Sequence, residues 1–311
     1  MLEAVTQPPN LHTAFLRVEA SQGMSGVDGV TIGEFRHNLE VNLAVLGEEL
    51  RTGCYFPLPL LRFLVAKADG SPRALSVPTV RDRVAQAAVL NFIEPIFETQ
   101  FEEVSFAYRR GRSVRQAAMR IKALRDRGYR HIADVDIDDY FNQIDHELLF
   151  AKIAAVVTDA AILALLRRWV RAEIYEGEQI FALGKGIPQG AVISPLLANL
   201  FLDELDEALL ARGYQVVRYA DDFIVLTKTP QAAQTALRDI GDILARLHLA
   251  VDAEDSGLGN FEQGFKYLGL IFLKDSILAP FDRPRKAKRV LFMPPPFDLA
   301  GYLAARQTRG D

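Results

Sequence analysis

The sequence predicts an α+β fold built on a ferredoxin-like split βαβ unit, with antiparallel strands backed by helices. Two observations predict it. Short apolar runs pair into hairpins at residues 60–77 and 214–227, the first across Asp69-Gly70. From residue 131 onward the predicted order is strand, helices, hairpin, helix and strand. That order is typical of a split βαβ unit.

The individual elements follow from periodicity and from capping signals. Thr31 and Glu34 form a capping box at the start of a helix predicted to end near residue 51. Further helices are predicted at residues 11–20, 80–98, 113–127, 194–211 and 231–248, with two more between 147 and 171. Further strands are predicted at 131–137, 179–183 and 265–272.

Composition excludes several classes of protein. The 311 residues are 24% charged and 50% hydrophobic, which is ordinary globular composition. A single cysteine, Cys54, excludes an intramolecular disulfide and a multi-thiolate zinc site, and we expect it to be buried. The sequence contains neither a long apolar run nor a signal-peptide pattern. It therefore predicts a cytoplasmic protein with no membrane partner.

The charges are unevenly distributed. The net charge of −4 at first argues against a nucleic-acid partner. Residues 108–130, however, hold nine lysines and arginines against one acid, whereas residues 131–147 hold six acids and neither lysine nor arginine. Another five basic residues lie within 283–289. Adjacent basic and acidic blocks suit a site that binds both phosphates and metal ions.

Two groups of acidic residues carry the functional hypothesis. Asp221 and Asp222 occupy the turn of an apolar hairpin, where two unpaired carboxylates would repel each other at a cost. Asp136 lies on the short strand 131–137, between Asp134 and Asp138. If that strand lies beside the hairpin, Asp136 and Asp221 converge and can bind two Mg²⁺ ions. Two carboxylate-bound magnesium ions are the machinery of phosphoryl transfer.

Several motifs in fixed order resemble those of bacterial reverse transcriptases related to group II introns. They are Asp136-Ile137-Asp138-Asp139-Tyr140-Phe141, Gln189 to Pro195 (QGAVISP), Tyr219-Ala220-Asp221-Asp222 and Tyr267-Leu268-Gly269, supported by the segments 67–83 and 105–113. The resemblance implies a right-hand polymerase fold. Its fingers would span residues 1–130 with the hairpin 60–77, its palm 131–272, and a short basic tail or linker 273–311.

The resemblance also implies the reaction and its metal site. The chain would be an RNA-directed DNA polymerase that extends a DNA or RNA primer with dNTPs on an RNA template. Two Mg²⁺ ions, or Mn²⁺, would be held by the carboxylates of Asp136, Asp221 and Asp222 and by the backbone carbonyl of Ile137.

Further roles are implied residue by residue. Lys67 and Arg73 would clamp the triphosphate, Phe141 would exclude a 2′-hydroxyl, and Gln189, Gly190 and Tyr219 would contact the incoming nucleotide. Template and primer would contact Arg109, Arg110, Arg112, Tyr267, Leu268 and Gly269. Ordinary structural alternatives remain: Phe141 and residues 267–269 as core, Lys67 as an exposed strand residue, and Gln189 as a loop amide.

The chain also departs from the family pattern. Glu254-Asp255-Ser256 stands where relatives often have Glu-Lys-Thr, so a lysine that could protonate pyrophosphate is missing. Only 42 residues follow Gly269, which predicts a short or absent thumb. The helix-breaking Pro294-Pro295-Pro296 predicts that the last residues project outward and dock on another protein.

The biological setting is left open. The spacing from Asp255-Ser256 to residues 265–269 resembles the reverse transcriptases of CRISPR adaptation, which predicts cDNA synthesis for spacer acquisition and integrase partners. The alternatives are a group II intron or retron reverse transcriptase, or a non-catalytic subunit that binds RNA or an integrase. A diguanylate-cyclase-like enzyme would show a Gly-Gly-Glu-Glu-Phe turn in place of the Tyr219–Asp222 motif.

Overall fold

The structure is a computed structural model that describes residues 1–66, 70–279 and 289–309. Its helices, in chain order, are α1 (Leu2–Val5), α2 (Pro8–Ala20), α3 (Ile32–His37), α4 (Leu39–Thr52), α5 (Val80–Glu98), α6 (Val114–Asp126), α7 (Tyr140–Gln143), α8 (His146–Val156), α9 (Ala160–Val170), α10 (Ser194–Ala211), α11 (Pro230–Arg246) and α12 (Leu299–Arg309). Its strands are β1 (Leu60–Ala66), β2 (Pro72–Val77), β3 (His131–Val135), β4 (Glu173–Glu176), β5 (Gln179–Ala182), β6 (Gln215–Tyr219), β7 (Asp222–Thr227), β8 (Gly257–Asn260), β9 (Phe265–Tyr267), β10 (Leu270–Leu273), β11 (Ser276–Leu278) and β12 (Val290–Phe292).

The chain forms two compact units, and each is assembled from separate stretches of sequence. The first unit comprises residues 1–96, 153–194 and 287–311, and the second comprises 97–152 and 195–286. The division into contiguous fingers, palm and tail regions stays a prediction.

The second unit contains the predicted split βαβ arrangement. Its strands lie in the order β6-β7-β3-β8, and all the pairs are antiparallel. The helix α11 connects β7 to β8, and its N-terminus is capped by Thr229, whose hydroxyl accepts from the Ala232 N–H at 3.2 Å. This topology confirms the fold class expected from the sequence. The strand predicted at 131–137 ends at Val135, and Ile137 forms an isolated bridge with Val251 instead.

A second antiparallel group of strands packs beside this sheet. The single strand predicted at 265–272 is a hairpin of β9 and β10, with Tyr267 paired to Leu270. Leu268 and Gly269 form the turn and both have positive φ, 52° and 74°. Positive φ at both central residues is the requirement of a two-residue type I′ turn. The hairpin adds Tyr267 and Phe272 to the core of this unit.

The first unit is organised around the hairpin predicted at 60–77. Strands β1 and β2 pair antiparallel from Leu61↔Val77 to Ala66↔Pro72, which confirms the predicted hairpin. The end of β1 near Leu60 also pairs in parallel with β4, which forms a hairpin with β5. Gln86 on α5 accepts from the backbone N–H groups of Val192 and Ile193 at 2.9 and 3.3 Å, which ties the loop before α10 to this unit.

The tail does not project outward as expected. Its strand β12 pairs antiparallel with β1 through Leu64↔Phe292. Beyond the three prolines, the Phe297 ring lies 4.8 Å from that of Tyr175, and the Tyr302 hydroxyl donates to Glu173 at 2.6 Å. Apolar contacts and a hydrogen bond therefore hold residues 290–302 against the rest of the first unit, and the expectation of a projecting tail was wrong.

The structure also differs from two local predictions near the N-terminus. The capping box is present, because the Thr31 hydroxyl accepts from the Glu34 N–H while the Glu34 carboxylate accepts from the Thr31 N–H. The helix it starts is broken at Asn38, with φ −118° and ψ 37°, into α3 and α4. Cys54 follows the left-handed Gly53 that ends α4 and is exposed, whereas we expected it to be buried. Within the described ranges, no helix is both long and apolar enough to cross a membrane.

Candidate active site

The predicted acidic turn joins β6 to β7 in the second unit. Tyr219 pairs with Asp222, so Ala220 and Asp221 form a two-residue loop. Ala220 is 7% exposed and has φ 65°, a left-handed conformation that costs an L-residue about 1–2 kcal/mol. Glycine is the usual residue at positive φ in such turns. The fold therefore holds a strained backbone at the position where the acids are presented.

A buried arginine forms a hydrogen bond to the backbone of this turn. The Arg218 guanidinium binds Asp206 on α10 through Nε–Oδ1 at 2.9 Å and Nη2–Oδ2 at 2.6 Å, and neither side chain is exposed to solvent. Its Nη1 donates to Asn199 Oδ1 at 3.1 Å and to the Ala220 carbonyl at 3.0 Å. The network therefore links α10 to the strained residue of the turn. We did not identify these residues from the sequence.

The same turn is supported from β9. The Tyr267 hydroxyl lies 3.0 Å from the carbonyl oxygens of both Val217 and Asp222, one on each strand of the hairpin. A tyrosine from the predicted Tyr267-Leu268-Gly269 motif is thereby tied to the backbone that carries the acids. Leu268 and Gly269 follow as the turn of the next hairpin.

Asp136 lies immediately after the end of β3. Its backbone N–H donates to Ser256 Oγ at 3.0 Å, and its carbonyl accepts from the Asp252 N–H at 2.9 Å. Its carboxylate accepts from the N–H of Ile137, which is 2% exposed. Asp138, two residues on, is exposed. The segment 250–256 therefore fixes the backbone of Asp136.

The acids of this site act on one another electrostatically. The pKa of Asp136 is raised to about 6 by burial, and then by the charges of Asp221, Asp255 and Asp252. The pKa of Asp222 is raised to about 7 by burial, and then by Asp134, Asp136 and Asp221. Burial and Asp136 also raise the pKa of Asp134 to about 6. Concentrated carboxylates with raised pKa values suit a cation-binding site.

One group of carboxylates has the geometry of a metal site. Ligand oxygens of Asp136, Asp252 and Asp255 all lie within 4.8 Å of one another. Hard divalent cations bind oxygen ligands of this kind, so the site can hold a divalent metal ion. We did not identify Asp252 or Asp255 as ligands from the sequence. Asp255 stood out only as a departure from the family pattern, and Asp252 did not stand out at all.

Two more predicted residues of the second unit lie close to these acids in sequence. Phe141 on α7 is 8% exposed, and its ring meets that of Tyr140 at 5.5 Å, edge to face. The Tyr140 hydroxyl donates to the Ala198 carbonyl at 2.6 Å and fixes α7 against α10. Tyr219 is partly buried against the core of the unit.

Three of the residues predicted to contact the incoming nucleotide belong to the first unit, namely Arg73, Gln189 and Gly190. Arg73 is exposed on β2, paired with Val65, and Lys67 lies outside the described residues. The Ser76 N–H donates to the Gln189 carbonyl at 2.7 Å. Gly190 has φ 116°, and a Cβ there would lie 2.9 Å from the Ser76 carbonyl oxygen. The structure thus brings β2 and the Gln189-Gly190 loop together.

The predicted template arginines differ in exposure. Arg109 is 8% exposed; it binds Glu98 at 2.8 Å and donates to the carbonyls of Phe101, Glu102 and Ser105. Arg110 is exposed, and Arg112 is partly buried and pairs with Glu103 at 3.0 Å. The guanidinium of Arg109 therefore organises the loop that presents the other two.

Comparison with known proteins gives a consistent family. The family described as "Reverse transcriptase (RNA-dependent DNA polymerase)" matches residues 65–272. "Protein YkfC" of Escherichia coli is 32% identical, over 86% of this chain and 81% of that protein. The "Group II intron-encoded protein LtrA" of Lactococcus lactis is also 32% identical, over 66% of this chain, but the matched part is 34% of LtrA.

A solved telomerase structure shows the same fold at lower identity. Telomerase from Candida tropicalis, in complex with a fragment of telomeric RNA, is 12% identical with a TM-score of 0.54, over 83% of this chain and 50% of that one. A "Cas6-RT-Cas1–Cas2 complex" chain is 24% identical with a TM-score of 0.49, over 78% of this chain and 26% of that one. The likeness to telomerase, at 12% identity, concerns the fold alone.

Proposed function

Because this chain belongs to the reverse transcriptase family of RNA-directed DNA polymerases, we propose that it extends a primer 3′-hydroxyl with dNTPs on an RNA template, using two Mg²⁺ ions. The observation that carries the proposal is the group of acids at the end of β3 and in the β6–β7 turn. Asp136 and Asp222 have raised pKa values there, and Asp221 contributes to both shifts. Such a concentration of negative charge is tolerated best when cations are bound.

The proposed metal ligands are the carboxylates of Asp136, Asp221 and Asp222 and the carbonyl of Ile137, with Asp252 and Asp255 close to Asp136. Bound magnesium would lower the pKa of the primer hydroxyl and neutralise charge on the leaving pyrophosphate. The protein's own part is positioning: Arg218 and Tyr267 fix the turn, and Ser256 fixes the backbone of Asp136. No side chain has to act as a general base.

The remaining predicted residues are proposed as substrate contacts. Arg73, with Lys67, would bind the triphosphate, since cations on the β- and γ-phosphates are a general need of phosphoryl transfer. Gln189, Gly190 and Tyr219 would contact the nucleotide, and Phe141 would lie against its sugar. Primer and template contacts are assigned to the exposed Arg110, to Arg112, and to residues 267–269, with Arg109 as their support.

For the biological setting we propose cDNA synthesis during CRISPR spacer acquisition, with integrase subunits as partners. The support is the residue spacing from Asp255-Ser256 to the Tyr267-Leu268-Gly269 motif. A group II intron or retron reverse transcriptase is the alternative within the same activity. Neighbouring integrase genes, an intron RNA or a structured retron RNA would each distinguish these settings.

Primer extension on poly(rA)/oligo(dT) tests the proposed chemistry. The wild-type chain should incorporate dTTP with Mg²⁺ and stop in EDTA, and Asp136→Asn should reduce the rate by at least about a hundredfold. Asp138→Asn is the matched control, because this exposed acid two residues away is outside the proposed ligand set. An inactive wild-type chain that still binds RNA would favour the alternative of a non-catalytic binding subunit.

A further inference from the structure

The first unit contains a cavity of about 410 Å³ that the proposed chemistry does not use. It lies among α9, the β4–β5 hairpin and α12, and four arginines line it: Arg167, Arg168, Arg171 and Arg306. We call it the arginine pocket. Its volume falls within the usual range of ligand sites, about 300–1,000 Å³.

Helix α9 and its C-cap residue supply three of these arginines because the helix sequence is amphipathic. Its other face is buried through Ile162, Leu165, Leu166 and Trp169, which leaves the arginines of its C-terminal end on the exposed side. Arg168 is held in place, since its Nη1 donates to the Tyr55 carbonyl. The positions of these cations are therefore set by core packing of the helix.

Helix α12 contributes Tyr302 and Arg306 to the lining of the pocket. Its Tyr302 hydroxyl donates to Glu173 at 2.6 Å, so the pocket's carboxylate is engaged by a hydrogen bond. The Arg306 guanidinium lies over the ring of Phe56, which is 38% exposed. Together they offer a planar, partly apolar surface beside several positive charges.

The lining carries four guanidinium groups against one carboxylate among the described residues. Arginine forks bind phosphate oxygens in a bidentate manner. Aromatic rings and guanidinium planes are the surfaces on which unpaired bases stack. A ligand with both phosphates and exposed bases satisfies the whole lining, whereas an inorganic anion would leave the aromatic surface unused.

The geometry points to a binding site for a single-stranded RNA segment, with its phosphates on the arginines and one base on the Phe56–Arg306 surface. The inference rests on the proposed function in one respect, namely that the chain handles an RNA template. It adds a strand contact on the first unit, formed by α9, α12 and Phe56, to the nucleotide contacts proposed for Arg73 and the Gln189-Gly190 loop.

Fluorescence anisotropy with a short labelled single-stranded RNA tests this site. All titrations are done in EDTA, so that binding is measured without synthesis. The double variant Arg167→Gln/Arg171→Gln should bind about tenfold more weakly, and its log–log salt slope should fall by about 1.4, or roughly 0.7 per lost phosphate contact. Phe56→Leu keeps an apolar side chain but removes the ring, and should weaken binding by about fivefold or more.

The matched control is Arg238→Gln/Arg246→Gln, which removes two exposed arginines from α11. The site would be refuted if wild type and both pocket variants bound RNA with equal affinity and equal salt slope. It would also be refuted if the control variant lost as much affinity as the pocket variants. Displacement of RNA by dATP at equal phosphate concentration would assign the pocket to free nucleotides instead. Primer extension at saturating template is measured in parallel: an inactive wild type with normal binding refutes the polymerase proposal and leaves the pocket standing.

Discussion

The guanidinium of Arg218 and the carboxylate of Asp206 form a fully buried pair, and the arginine also donates to the Ala220 carbonyl at 3.0 Å. Removing one partner of such a pair leaves an uncompensated charge in the interior, at a cost of about 3–5 kcal/mol. The pair therefore couples the stability of the second unit to the backbone conformation of the acidic turn.

We predict that Asp206→Asn destabilises the protein by about 3–5 kcal/mol. Asn199→Ala removes one acceptor of Arg218, and we expect a smaller loss of about 1–3 kcal/mol. Urea unfolding measures both changes. Glu262→Gln is the control, since its pair with Arg130 is exposed at both ends and should leave the transition midpoint unchanged. A midpoint shift for Asp206→Asn no larger than that of the control would contradict the assignment.

Gly190→Ala should destabilise the first unit, because the backbone has φ 116° and the new Cβ would meet the Ser76 carbonyl oxygen at 2.9 Å. We expect a loss of about 1–3 kcal/mol, seen as a lower melting temperature. Gly184→Ala is the matched control in the same loop, where a Cβ meets no atom within 4 Å and φ is not positive. Equal melting temperatures for the two variants would show that the close approach of β2 is unimportant.

Phe141→Ala tests the proposed sugar contact. If the ring lies against the sugar, its removal should relax discrimination against ribonucleotides. A clash of about 3 kcal/mol between the ring and a 2′-hydroxyl corresponds to roughly 150-fold discrimination. The measurement is the ratio of kcat/KM for dNTP and rNTP. Phe150→Ala controls for lost packing, since Phe150 is similarly buried, 5% against 8% exposed. An unchanged ratio in Phe141→Ala would identify Phe141 as ordinary core.

Stability without metal should depend on pH. The pKa of Asp222 is raised to about 7 and those of Asp136 and Asp134 to about 6, against about 3.9 in an unfolded chain. Between these values the folded state retains protons that the unfolded state has lost, so stability falls as pH rises from about 4 to 7.

Differential scanning fluorimetry in EDTA should therefore give a lower melting temperature at pH 8 than at pH 5.5, and added Mg²⁺ should raise it again at pH 8. Asp222→Asn cannot ionise, so it should flatten the pH dependence. A melting temperature in EDTA that is the same at both pH values would mean that burial and mutual repulsion do not raise the pKa values of these carboxylates in the fold.

Much of the fold follows from local sequence signals. Short apolar runs predicted the β1–β2 and β6–β7 hairpins, and the capping box predicted the start of α3. The acidic turn was predictable because two carboxylates in an apolar hairpin conflict with ordinary core formation.

Long-range contacts could not be predicted from local sequence signals. Strand β12 pairs with β1 across more than two hundred residues, and nothing local in residues 290–292 specifies that partner. The turn at Leu268-Gly269 was missed because leucine rarely adopts positive φ. Arg218 looks like a surface residue in sequence, and only the fold shows Asp206 and Asn199 at hydrogen-bond distance.

The single-nucleotide incorporation rate of Asp221→Asn, at saturating primer–template and dNTP with Mg²⁺, tests most directly the claim that the acidic turn binds the metals of phosphoryl transfer. We predict a rate at least about a thousandfold below wild type, with a melting temperature in EDTA no lower than that of wild type. A purified, folded Asp221→Asn protein with a rate within tenfold of wild type would contradict the claim.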